Sequence, residues 1–413
     1  MSTYGIIALF ITLTAAAAYI NARFLKLPST VGLMIVALML SIVMILLHAL
    51  GVDIAGTADD FLAKIDFSEV LMQGMLSFLL FAGALHINLN DLADQKFIVG
   101  SLATVGVVAS TFMVGTATWV VLGWLEFSIP YLYCLVFGAL ISPTDPVAVL
   151  SILKSAGASK TLSTKIAGES LFNDGVGVVV FAVLVGLATG GEGFSFGHVA
   201  LLFAEEAIGG VLFGLAIGYI GYLLLKDIDN YSVEVLITLA LVSGGYAVAM
   251  AIHTSGPIAV VVAGLLIGNH GRRLAMSETT RKHLDVFWEL IDETLNAVMF
   301  VWIGLEILVL HFELPYLWAG LIAIPVSLLA RFIAVHSAIA VLKRWRTFSK
   351  NAAFILTWGG LRGGISIALA LSLSAGPTRD LIVSMTYVIV IFSILVQGLS
   401  IKKLVQLSSE SAP

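Results

Sequence analysis

Only one cysteine, Cys134, occurs in the 413 residues. No disulfide can form within the chain, and the apolar run around Cys134 makes it a small core residue. Charge is also scarce. Asp, Glu, Lys and Arg make up 11% of the sequence, against roughly 25% in soluble proteins. With 59% hydrophobic residues, the chain cannot cover a water-facing surface, so its solvent must be lipid. There is no Cys/His cluster at metal-ligand spacing, no phosphate loop, no Ser–His–Asp pattern and no nucleic-acid signature. No bound cofactor is expected. No basic residue precedes Arg23, so the N-terminus lacks the positive start of a secretory signal. Ala15–Ala18 imitates a cleavage site, but Met1–Ile20 reads better as a first membrane helix.

What is present is a series of long apolar runs. A spanning helix needs about 20 apolar residues. Thirteen segments qualify: 4–21, 31–50, 69–87, 97–125, 131–153, 166–189, 198–225, 231–252, 257–269, 286–310, 314–342, 351–375 and 381–401. The fold class is therefore an all-α polytopic membrane protein. The ninth span is short and glycine-rich, the tenth begins with polar Glu289, Asp292, Glu293 and Asn296, and residues 52–67 read as a short surface segment. Loops after odd-numbered spans, with the C-terminal tail, hold seventeen of the 21 basic residues. Loops after even spans hold only Lys64 and Arg379. Cytoplasmic loops are enriched in Lys and Arg, so this alternation puts the N-terminus outside and the C-terminus in the cytoplasm. About a dozen residues follow the last span, and no soluble regulatory domain is expected there.

Ionisable groups inside lipid are costly and mark function by default. Asp145, Asp174, Arg331 and Arg362 each lie at least about 8 residues from the ends of their spans, some 12 Å towards the midplane; Glu169 is shallower. Asp145 sits in Ser142-Pro-Thr-Asp-Pro146, where two prolines prevent a regular helix. The fifth span should break there and free carbonyls beside Thr144 and Asp145. In the sixth span Ser170 and Asp174 share one face, and Glu169 and Asn173 an adjacent one. One face can line an aqueous site while Glu169 meets Arg331, as a structural pair that reduces the cost of both charges. In the twelfth span Trp358-Gly-Gly-Leu-Arg-Gly-Gly364 marks a second interruption. Arg362 would compensate helix-end carbonyls or a nearby carboxylate, and a structural and a transport role both stay open for it. If the seventh span is a linker, both breaks fall at the fifth position of a six-helix half, the pattern of inverted repeats around a midplane site. Glu205 and Glu206 could line an access funnel, and His253 and His270 could sense pH; an interface and solvated loops explain them equally simply.

Ser142-Pro-Thr-Asp-Pro-Val-Ala-Val149, Gly168-Glu-Ser-Leu-Phe-Asn-Asp-Gly-Val-Gly177, Gly359-Gly-Leu-Arg-Gly-Gly364 and Phe78-Leu-Leu-Phe-Ala-Gly-Ala-Leu-His-Ile87 together resemble the monovalent cation/proton antiporter family 1, of the bacterial sodium/proton antiporter type. The resemblance implies thirteen helices, a homodimer in the inner membrane, and a core (about 97–189 and 314–401) that moves against a dimerisation part (about 4–87 and 231–310), with a linker helix at about 198–225. It implies that Asp145, Asp174, Thr144 and Ser170 form the Na+ site. It also implies that Asn173, preceding the essential Asp, goes with electroneutral one-for-one exchange. One departure is that some members carry an acidic residue near Ala82, and this chain does not.

The mechanism expected is competition. A carboxylic acid withdrawn from bulk water titrates nearer to neutrality, so Asp174 can hold a proton or a cation but not both. Na+ and Li+ suit the oxygen ligands, as does K+, and K+/H+ exchange is the runner-up. A cation channel would not need a titrating Asp, and an intramembrane aspartyl protease would need a Gly-x-Gly-Asp type of motif that is missing. The protein is thus expected to be a secondary transporter serving pH and sodium homeostasis, and not an enzyme.

Overall fold

The computed structural model describes residues 3–50, 67–145, 149–150, 160–190, 196–308, 313–344 and 351–410. Most of the expected surface segment over 52–67 and much of the second half of the fifth span lie outside them. Among the described residues every regular element is helical. We number the helices α1 (Thr3–Ile20), α2 (Ser29–Ala49), α3 (Phe67–Leu85), α4 (Leu89–Trp124), α5 (Tyr131–Ile141), α6 (Lys160–Ala188), α7 (Phe196–Asp227), α8 (Tyr231–Ala251), α9 (Gly256–Leu266), α10 (Glu278–Glu306), α11 (Leu314–Leu342), α12 (Ala352–Trp358), α13 (Gly364–Leu371) and α14 (Pro377–Phe392), the last continuing to Glu410. By length and composition, nine helices among the described residues can cross a membrane.

Several helices start earlier than hydropathy suggests, and caps explain why. The Asn88 side chain accepts from Asn90 N and Asp91 N, starting α4 eight residues before the apolar run expected from 97. Ser277 accepts from Thr280 N and starts α10 at Glu278, where 286 was expected. These first turns are polar, so an apolar window misses them. Large apolar side chains face outward, among them Leu212 (62% exposed), Leu236 (64%) and Trp318 (61%), as expected where the surrounding solvent is lipid.

Lipid tails supply no hydrophobic drive between helices, so association depends on close packing. A Cβ at Gly115 of α4 would lie 2.8 Å from Leu135 Cα of α5; only glycine allows these two backbones to meet. Two groups of helices result. In one, α4 packs on α5 and α11, α5 on α6, and α11 and α13 on α14. In the other, α2 packs on α10, α3 on α9, and α7 and α8 on α9.

Both expected interruptions are present. After Ile141 the chain is non-helical through Asp145 and helical again at Val149 and Leu150. Between Trp358 and Gly364 the second break separates α12 from α13.

Candidate functional site

The two breaks meet. The Asp145 amide donates to the Leu361 carbonyl oxygen at 2.8 Å. The Asp145 carboxylate lies against Gly363, whose missing side chain provides the space: a Cβ there would collide with it. Gly363 is the N-cap of α13, so this carboxylate sits at the positive end of a helix. On the other side, the Pro143 ring fills the hollow at Gly177 of α6.

Thr144 joins the break to α6. Its amide donates to Asn173 Oδ1 at 3.2 Å, and its Oγ1 accepts from Asn173 Nδ2 at 2.9 Å. The same Oγ1 lies 2.9 Å from Ser170 Oγ. Both ends of the Asn173 amide are thus used by one residue. Thr144, Ser170 and Asn173 are all at most 2% exposed. Asp174, 4% exposed, follows Asn173 on α6 and lies within electrostatic reach of Asp145. Asp145 is partly buried. Two carboxylates and two hydroxyls therefore gather where helix geometry has been interrupted. These are hard oxygen donors, suited to a small alkali cation.

A broken helix leaves carbonyls without intrahelical donors, and inside a membrane each such group is costly. At the α12–α13 break four carbonyls accept from different sources. Leu356 O accepts from Arg331 Nη2 at 3.2 Å, and Trp358 O from Gln397 Nε2 at 3.0 Å. Gly360 O accepts from Arg362 Nη1 at 3.1 Å, and Leu361 O from Asp145 N. The Arg362 amide donates to Ser393 Oγ at 2.8 Å. Ser393 and Gln397 bound a π-helical turn within the last helix. Such turns recur at functional sites, and here one directs two polar side chains at the break. Arg331 Nη1 also contacts Glu169 Oε1, and both residues are buried.

The weaker candidates lie elsewhere. Glu205 is exposed and Glu206 partly buried on α7, and Glu206 O accepts from Ser255 N at 3.2 Å. His253, exposed, has a left-handed backbone (φ 56°) between α8 and α9, and His270 is exposed beyond α9. None of these joins the two breaks.

Sequence reasoning missed Ser393, Gln397 and the Leu361 carbonyl. Each acts through backbone geometry that residue type does not announce. It also passed over Met299 of α10, which packs on Gly364.

Comparison with known proteins follows the same lines. The pattern of the family described as sodium/hydrogen exchanger, transmembrane, matches residues 9–407. The Na(+)/H(+) antiporter NhaP of Pseudomonas aeruginosa is 51% identical over 97% of this chain and 96% of its own. NhaH of Halobacillus dabanensis, also a Na(+)/H(+) antiporter, is 35% identical over 93% of each. The structure of the sodium proton antiporter MjNhaP1 from Methanocaldococcus jannaschii superposes with a TM-score of 0.76 at 20% identity, covering 99% of this chain and 98% of that one; that likeness concerns the fold.

Proposed function

This chain belongs to the sodium/hydrogen exchanger family; it is a multi-pass secondary active Na+/H+ antiporter and not an enzyme, and we propose that Asp174 is the group on which Na+ and H+ compete. The observation that carries the proposal is the junction of the α5 break with α6. There Thr144 Oγ1 meets Ser170 Oγ at 2.9 Å, and Asp174, on the same helix, lies within electrostatic reach of Asp145. A proton on Asp174 removes the charge that would hold the cation; a cation displaces the proton. Asp145, at the N-terminal end of α13, is supported as a permanent carboxylate. Sodium, in preference to potassium, follows from the activities for which the relatives are named.

Asn173 supports one-for-one exchange. Its amide is held at both ends by Thr144, so it stays neutral and in place throughout the cycle. An Asp in its position could not donate to Thr144 Oγ1 and would bring a second titrating group. With Asp174 alone exchanging its proton, each turnover moves one Na+ against one H+. Glu169 and Arg331 serve as a neutralised structural pair, and Arg362 serves the carbonyls of the break.

The two packing groups support a core of α4–α6 and α11–α14 that moves against α1–α3 and α8–α10, with α7 as the connection. The homodimer, the inner-membrane location with basic loops in the cytoplasm, and a role in pH and sodium homeostasis complete the reading. The test is Na+-dependent proton flux in proteoliposomes with Asp174→Asn. Flux should vanish while melting in detergent stays within a few degrees of wild type. Normal flux in that variant overturns the assignment.

A further inference from the structure

Helix α10 belongs to the group facing the breaks, and one of its stripes runs directly up to them. Met299 packs on Gly364, immediately after Gly363, against which the Asp145 carboxylate rests. Ile303, one turn further on, touches Gly364 as well. Stepping back along the same face from Met299, Asn296 and Asp292 follow at helical spacing (i−3 and i−7). The stripe is therefore apolar where it seals the site and polar one to two turns before it.

Asn296 is 3% exposed. Its Nδ2 donates both to the Asp292 carbonyl oxygen at 2.8 Å and to Asp292 Oδ1 at 3.0 Å. Both partners are pure acceptors, so the amide orientation is fixed and the atom left over must be the carbonyl oxygen. That Oδ1 is enclosed and accepts no hydrogen bond. A buried amide oxygen without a donor costs about 1–3 kcal/mol, and beside the Asp292 carboxylate a cation, bare or hydrated, would satisfy it. Asp292 is partly buried and lies within electrostatic reach of Asp145. Neither residue is required to hold the breaks together.

Position gives the pair a direction. Asp292 lies 14 residues after the start of α10, about 21 Å along its axis. The turn before α10 carries Arg272 and Arg273, and its first turns carry Arg281 and Lys282. The pair therefore lies between the basic membrane face and Asp145, preceded on the same helix by Glu289.

We infer that Asp292 and Asn296 form a relay site for Na+, which holds the partly dehydrated cation through the Asp292 carboxylate and Asn296 Oδ1 before it passes to Asp145 and Asp174. The inference rests on the antiport reading given above. The relay raises the local cation concentration on the way to Asp145 and Asp174; it does not exchange the proton. Its loss therefore weakens apparent affinity and spares turnover at saturation.

The experiment measures Na+/H+ exchange in proteoliposomes against Na+ concentration on the basic-loop side, at fixed pH, for wild type, Asp292→Asn, Asp292→Glu, Asn296→Ala and Asp174→Asn. Asp292→Asn should raise the KM for Na+ about tenfold, in keeping with the concentrating effect of a focused charge, with Vmax within about twofold of wild type. Asn296→Ala should raise KM by a smaller factor, and Asp292→Glu should restore most of the affinity. A KM for Asp292→Asn within about twofold of wild type overturns the relay, as does a fall confined to Vmax. If Asp174→Asn exchanges normally, the assignment of Asp174 as the exchanging group fails; if Asp174→Asn is silent and Asp292→Asn has an unchanged KM, only the relay fails. Melting in detergent separates a variant that does not fold, and Asn296→Ala then carries the test for Asp292.

Discussion

Arg331→Ala should lower the stability of the protein by an amount that geometry lets us bound. Arg331 is 6% exposed and Glu169 1% exposed. The guanidinium serves two acceptors, Glu169 Oε1 through Nη1 and the Leu356 carbonyl through Nη2. Removing it strands a carboxylate in a dry interior and takes the guanidinium donor from a carbonyl at the end of α12. Breaking a buried pair costs about 3–5 kcal/mol, and an orphaned carbonyl about 1–3 kcal/mol. The two are not additive because they share one side chain, so about 3–5 kcal/mol is the working figure. A change of ~1 kcal/mol moves the midpoint of a 150–250-residue domain by about 2–4 °C. In this larger chain the figure still amounts to several degrees, readable by tryptophan fluorescence during thermal melting in detergent. The control is the double variant Glu169→Gln with Arg331→Met, which leaves no charge behind and should recover much of the loss. A single variant that melts with wild type refutes the reasoning. So does a double variant at least as unstable as the single one, because the cost would then come from lost packing.

Thr144→Val removes the hydroxyl that Asn173 and Ser170 share, at a cost of about 1–3 kcal/mol for the polar groups left behind, and should raise the KM for Na+; Thr144→Ser keeps the oxygen and should transport like wild type, which flux against Na+ concentration decides. Gly363→Ala places a methyl group where the Asp145 carboxylate lies, and should abolish transport with much less effect on melting than Arg331→Ala; measurable exchange at wild-type rate would show that the carboxylate has room elsewhere. One-for-one exchange carries no net charge, so a membrane potential imposed on vesicles should leave the rate unchanged. A net elementary charge would gain about 2.3 kcal/mol per 100 mV, and a steady current on a solid-supported membrane would overturn the stoichiometry.

Much of this arrangement is written in local composition. Pro143 and Pro146 cannot continue a helix, and the glycines around Arg362 weaken one, so both interruptions can be read without neighbours. The spacing of Ser170 and Asp174 follows from helical periodicity alone, and Glu169 and Arg331, opposite charges in two apolar spans, point to each other because neither tolerates solitude in lipid. What could not be read is how the breaks are sealed. Ser393 and Gln397 look like ordinary polar residues in a late helix, and a π turn there brings both to the α12–α13 break. Asn296 and Asp292 read as a polar start to the tenth span, because hydropathy records that they are polar and not what they face. The same limitation shifted the starts of α4 and α10, whose capped first turns lie where no apolar window would look.

The way the breaks are sealed bears on how the site can move. The carbonyls of Leu356, Trp358, Gly360 and Leu361 are held from α11, from the last helix, from Arg362 and from the α5 break, all within one packing group. Pulling these elements apart would strand several polar groups in a medium that offers no substitute donors, so in the proposed movement the broken segments stay together. Contacts towards the other group have a different character. Ile258 of α9 packs on Gly175, and Met299 and Ile303 of α10 pack on Gly364. Apolar side chains on glycine surfaces can slide with little loss of interaction energy, because dispersion contacts are individually weak and readily exchanged. These contacts fit the proposed movement: hydrogen bonds tie the broken segments to one another, and at Gly175 and Gly364 the two groups meet through glycine and apolar side chains.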